Sequence, residues 1–182
     1  MGNGTFRGAP EGNAKGSSRN LRPRSMPNDL DDPYQPNGHY PDGTVCSSCG
    51  AVYHNQHWNL DQKRAEALTG AGANTVVCPG CRKIQSADPS GIVTLSGNYW
   101  LAHEEEILNL VRNEEGRGNG VNPLERIMDI RREGDTLIIE TTKEKLAQRI
   151  GHRLHSAHKG TVDYRWSDTN HLVRVYWERT LD

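Results

Sequence analysis

Apolar and polar positions change their rhythm twice along the chain. Residues 1–37 are mostly Gly, Ser, Asn, Pro and Arg, with almost no branched apolar residue. Such a stretch cannot bury enough surface to offset its ordering entropy, which predicts a disordered arm. Its beginning is basic (Arg7, Lys15, Arg19, Arg22, Arg24) and its end acidic (Asp29, Asp31, Asp32). Over 38–86, Val45, Val52, Tyr53, Val76 and Val77 predict brief strands around cysteines. Between them, 61–68 reads as a short helix, with Asn59 as candidate N-cap and glycines ending it over 69–74.

The rhythm changes again over 87–182. Residues 91–95 predict a strand, and 98–101 extend or turn from it. Ile107, Leu108, Leu110 and Val111 share one face of a helix over 103–112, with Glu104, Glu105 and Glu106 in the first turn, where the dipole favours them. Three glycines make 114–122 a flexible loop in this reading. A hairpin follows, with strands over 127–132 and 136–141 about 133–135. Leu146, Ile150 and Leu154 recur every four residues, predicting a helix over 143–158 that Gly160 stops. Val162, Tyr164 and Trp166 alternate on one closing strand, Val173, Val175 and Trp177 on another, with a turn at 168–170. This order predicts an α+β sandwich: an antiparallel sheet in a ferredoxin-like layout, helices on one face, Tyr, Arg and Trp outward on the other.

All four cysteines fall in two Cys-x-x-Cys pairs, Cys46/Cys49 and Cys78/Cys81. Each spacing suits a knuckle that aims two sulfurs at one point, with Gly50 and Gly80 placed where positive φ is needed. Two converging knuckles make a zinc ribbon, a closed four-thiolate Zn2+ site of structural type. Disulfides would need an oxidising compartment, and no export signal is visible. An iron–sulfur cluster is the other alternative, although its cysteines usually lie closer in sequence. His54 and His57 could be ligands, but four thiolates already complete the set.

Composition changes the picture in two ways. The chain has 182 residues, 34% hydrophobic residues, a mean hydropathy of −0.81 and a single Phe, a lean core that a metal crosslink would supplement. No apolar run reaches membrane-span length, so a cytoplasmic protein with no membrane partner is expected. The net charge of −1 hides an uneven distribution. Lys145, Arg149, His152, Arg153 and Lys159 make the helix over 143–158 basic on one side, whereas 104–140 is acid-rich. The basic side, with Tyr164, Arg165, Trp166 and Arg174, suits RNA phosphates and stacking; it could equally be a solvated face paired with the acidic helix. Tyr53, His54, Trp58, Arg82 and Lys83 would add a rigid edge from the ribbon. His152, His155 and His158 lie along one helix edge without a matching carboxylate or cysteine, so a second metal site is not expected. No nucleophile elbow, phosphate loop or paired buried carboxylates mark an enzyme.

Several segments together look familiar: C-S-S-C-G with C-P-G-C, G-N-Y-W, E-I-L-N-L-V, I-R-R-E-G-D-T-L-I-I-E, K-L-A-Q-R-I-G-H-R-L and H-K-G. Over 45–177 they resemble the large-ribosomal-subunit export adaptor (NMD-type) family of eukaryotes and archaea, in the form of a short stand-alone relative of bacterial kind. The resemblance implies a non-catalytic zinc-ribbon protein that binds the large ribosomal subunit or rRNA, with Cys46, Cys49, Cys78 and Cys81 as ligands. An export role is not expected, because the later domains that carry it have no counterpart here. The alternative is a zinc-ribbon adaptor, of a stress-related kind, that docks a protein partner without touching RNA.

Overall fold

Short apolar segments around the cysteines can form only a small sheet, and the longer alternating segments beyond form a larger one. A computed structural model of the protein describes residues 39–167 and 171–181, so the arm expected over 1–37 and the turn expected over 168–170 lie outside the described residues. The first sheet comprises β1 (Val45–Cys46), β2 (Val52–His54), β3 (His57–Asn59) and β4 (Thr75–Val76), in the order β3-β2-β1-β4. β1 runs antiparallel to β2 and parallel to β4. Helix α1 (Gln62–Gly70) bridges β3 and β4, and α2 (Pro79–Ser86) follows. Asp61, rather than Asn59, caps α1: its carboxylate accepts from the Arg64 backbone N–H at 3.0 Å.

The second sheet contains β5 (Gly91–Ser96), β6 (Ile127–Glu133), β7 (Thr136–Thr141), β8 (Thr161–Trp166) and β9 (Val173–Glu178), in the order β6-β7-β5-β9-β8. Between strands come α3 (Tyr99–Ala102), α4 (Glu104–Val121) and α5 (Glu144–His158). The expected strand–helix–hairpin–helix order is present, but the sheet is mixed rather than antiparallel: β5 pairs parallel with β9. The burial of the last two strands explains why β9 displaces β8 from that place. Val173, Val175 and Trp177 of β9 are fully buried, whereas β8 alternates exposed and half-buried residues. The more apolar strand takes the interior position, and β8 becomes the edge.

One sheet face, with Val93, Leu95, Leu137, Ile139, Val175 and Trp177, packs against Ile107 and Val111 of α4 and Leu146, Ile150 and Leu154 of α5. Strand alternation puts Tyr176 on the opposite face, where the Arg165 guanidinium lies 4.9 Å from its ring centre. Tyr164 and Trp166 instead pack against the helix-covered core, so neither is part of an outward aromatic face.

The expected 114–122 loop is the clearest correction. Helix α4 runs without a break to Val121, because side chains from elsewhere fix its last turns. Glu114 is buried and takes ion pairs from Arg117 and Arg153, both at 3.1 Å. A Cβ on Gly118 would meet the Arg149 guanidinium and the Glu125 carboxylate, so glycine leaves these side-chain ends room to pair against α4. Gly116 has no such neighbour within 4 Å. Gly116→Ala is expected to raise the unfolding free energy by about 0.5–1 kcal/mol, read from denaturant midpoints, by removing a helix-interior glycine.

Candidate metal centre

Two different backbone devices bring the sulfurs together. Cys46 ends β1 and Cys49 follows in a tight turn closed by the Gly50 N–H donating to the Cys46 carbonyl at 2.9 Å, with Gly50 at φ +71°. That is the expected knuckle. The second pair is not a strand knuckle. Cys78 is the N-cap of α2, Pro79 opens the helix, and Cys81 lies in its first turn. Gly80 therefore has no positive φ. A Cβ there would lie 2.8 Å from an Arg126 nitrogen and 3.2 Å from the Leu124 Cα, so the position is reserved for close approach. The helix N-terminus also favours anionic sulfur.

All four Sγ atoms lie within 4.8 Å of one another. Cys46 to Cys81 and Cys49 to Cys78 are both 3.8 Å, nearly twice the about 2.05 Å of a disulfide bond, and all four thiols are free. Three of them are buried and Cys49 is half-buried. The Cys78 backbone N–H donates to Cys46 Sγ at 3.3 Å. Side-chain hydrogen bonds from Cys49 and Cys78 hold the Cys46 thiol far below its ordinary range. The same bond to Cys46 pushes Cys78 and Cys49 up. A bound cation would let crowded thiols ionise together. The set fits a metal ion. Among the described residues it is the one such group.

A group from the segment that leads into the second sheet reaches the sulfurs. Arg126 lies between α4 and β6, and its guanidinium donates to Cys78 and Cys81 Sγ at 3.4 Å. Burial opposes its charge, but the hydrogen bond to Cys81 and the attraction of Cys49, Cys81 and Cys78 outweigh that and raise its pKa. Leu124, two residues earlier, is buried in the same apolar cluster as Cys46, Cys78 and Cys81. The Arg126 backbone is held in turn by Thr142, whose hydroxyl accepts from Arg126 N–H at 2.8 Å and donates to the Leu124 carbonyl at 2.6 Å. No local pattern marks Arg126 in the sequence, because its partners are 45 and 48 positions away.

The expected RNA edge of the ribbon is differently placed. Tyr53 and Trp58 are each 6% exposed and, with Tyr40, form a cluster of three rings at 5.3 Å centroid spacing. A module this small uses its aromatics as its own core, which removes them from an outer surface. Lys83 is also buried and donates to Ser90 Oγ at 2.6 Å. Arg82 is half-buried, donating to the Val77 carbonyl and the Tyr40 hydroxyl. On α5, Arg149 is paired with Glu125 at 2.7 Å and Arg153 with Glu114 at 3.1 Å, and both carboxylates are buried rather than part of a solvated face. Lys145, His152 and Lys159 are exposed. His155 contacts the Gly160 carbonyl, whereas His158 is buried against the Tyr99 hydroxyl at 3.2 Å and kept neutral-leaning by that burial.

Comparison with protein-family models, curated proteins and solved structures finds no match to this chain. Among the described residues, no helix is long and apolar enough to cross a membrane.

Proposed function

We propose that the protein is a zinc-stabilised, non-catalytic RNA-binding protein that associates with the large ribosomal subunit or its rRNA. Zn2+ is favoured by ligand type and spacing: tetrahedral Zn–S bonds of about 2.3 Å imply S–S edges of about 3.8 Å, and two edges here are 3.8 Å. Four thiolates leave such an ion no open position, which suits a structural role. The observation that carries RNA binding is the division of cations on α5. Arg149 is committed to carboxylates, while Lys145 and Lys159 stay exposed and have no ion pair among the described residues. The sequence resemblance to the NMD-type adaptor supplies the ribosomal part of the reading.

Sedimentation with ribosomal subunits at low and high salt tests it. Comigration with the large subunit at low salt, lost at high salt, is the expected result. Changing Lys145 and Lys159 together to Ala should lower the slope of log affinity against log salt by about 1.4, at about 0.7 per phosphate contact. Protein left at the top of the gradient in both salts overturns the reading. A nuclease-resistant pull-down of one protein partner would then favour the adaptor alternative.

A further inference from the structure

Between α4 and α5 lies a depression of about 410 Å³, open to solvent and lined by polar groups of both helices. Its floor is Glu114, whose side chain is 5% exposed. Oε1 of this one carboxylate accepts from Nη1 of Arg117 and is ion-paired with Nε of Arg153, both at 3.1 Å. The buried anion therefore gathers two guanidiniums at one point, although their side chains remain 64% and 49% exposed. Nε and Nη2 of Arg117 and both terminal nitrogens of Arg153 have no partner among the described residues. Arg149, the third cation nearby, is taken up by Glu125; with Glu106 in the lining, three carboxylates balance three guanidiniums, so attraction for an anion comes from the open donor positions of Arg117 and Arg153.

The lining is graded along α4. Glu106, Asn109, Asn113 and Arg117 follow one another at helical spacing, so the carboxylate and guanidinium ends are about 16 Å apart along the helix axis at 1.5 Å per residue. His158 lines the same depression from α5, and its Nδ1 is engaged by the Tyr99 hydroxyl. A cationic end with free forked donors recognises a phosphate, because two guanidiniums can share its oxygens. The amide oxygens of Asn109 and Asn113 are acceptors for the sugar hydroxyls or base amino groups of a nucleotide.

We infer that this depression is a phosphate-recognition subsite for a ribonucleotide, held either as one unit of an RNA strand or free. Arg117 and Arg153 take the phosphate, and Asn113 and Asn109 face the sugar or base. As a site within RNA, it rests on the function proposed above and assigns the contact to α4 as well as α5. Glu114 acts as a positioning residue, fixing the two guanidiniums without reaching the ligand.

Nuclear magnetic resonance titration of the full, zinc-loaded chain tests it, with inorganic phosphate, AMP and single-stranded RNA and DNA octamers as probes. The RNA octamer should shift amides within 106–117 and 153–158 and bind more tightly than its DNA counterpart. Arg117→Gln should weaken it about tenfold, as expected for loss of a charge-assisted pair. Asn113→Asp provides the second variant: it leaves the Glu114 ion pairs in place and should weaken binding similarly by placing negative charge in the mouth. RNA affinity unchanged in both variants overturns this subsite while leaving RNA binding itself intact. AMP binding that both variants weaken, with no affinity for RNA, supports the subsite for a free nucleotide and overturns the RNA reading. Absence of shifts with every probe overturns both.

Discussion

Cys49→Ser is expected to unfold the first sheet and abolish stoichiometric metal binding, with a loss on the order of 10 kcal/mol to that module. The size follows from how little else holds it. β1 and β4 have two residues each, and the cluster around the sulfurs contains Ala51, Tyr53, Trp58 and Leu124 with few further apolar groups. Such a core cannot offset the ordering entropy of some forty residues without a crosslink. The second sheet has a larger core, with Trp100, Trp177, Ile107, Ile139, Leu146, Ile150 and Leu154 fully buried. It should therefore keep a cooperative melt of its own. Metal analysis and thermal unfolding followed by near-ultraviolet circular dichroism check the result. Unchanged metal content and a single unchanged transition would show that the cysteines hold no structural ion.

Arg126→Met is expected to weaken metal retention by about 10–100-fold, the usual cost of losing a group that hydrogen-bonds metal ligands. Four thiolates around a divalent cation carry a formal charge of −2, and Arg126 is the guanidinium that meets two of them. The same side chain joins the two sheets, so its loss should also loosen the contact that Leu124 makes with the cysteine cluster. Arg126→Lys retains the charge but not the fork and should recover only part of the affinity. Competition with a chromophoric chelator measures the retention. Hydrogen exchange at 122–126 reads the docking, since a purely electrostatic role would leave that exchange unchanged. Equal retention in wild type and Arg126→Met would falsify the assignment.

Several features were legible because they are local. The two Cys-x-x-Cys spacings identified the sulfurs that converge, and Gly50 marked the first knuckle. The four-residue recurrence of Leu146, Ile150 and Leu154 placed α5, and the alternation ending at Trp177 placed β9 on its buried face. The hairpin about 133–135 appears as expected. In each case, a side chain's periodicity or a turn's backbone requirement is decided within a few residues.

Other features depend on partners far along the chain. Glycine spacing at 116, 118 and 120 argued for a loop, but Arg149 and Arg153 from α5 hold that stretch helical through Glu114. Tyr53 and Trp58 had the composition of a stacking edge, yet Tyr40 and the small core enclose them. The role of Gly80 came from Arg126, not from its own backbone angle. The chain's own chemistry thus determined the set of converging sulfurs and most elements, since these need only short-range spacing. Tertiary packing alone decided which cations remain free, which strand pairs with β5, and which arginine faces the sulfurs. Charge pairing, close approach and burial belong to residues that meet only once the chain has folded.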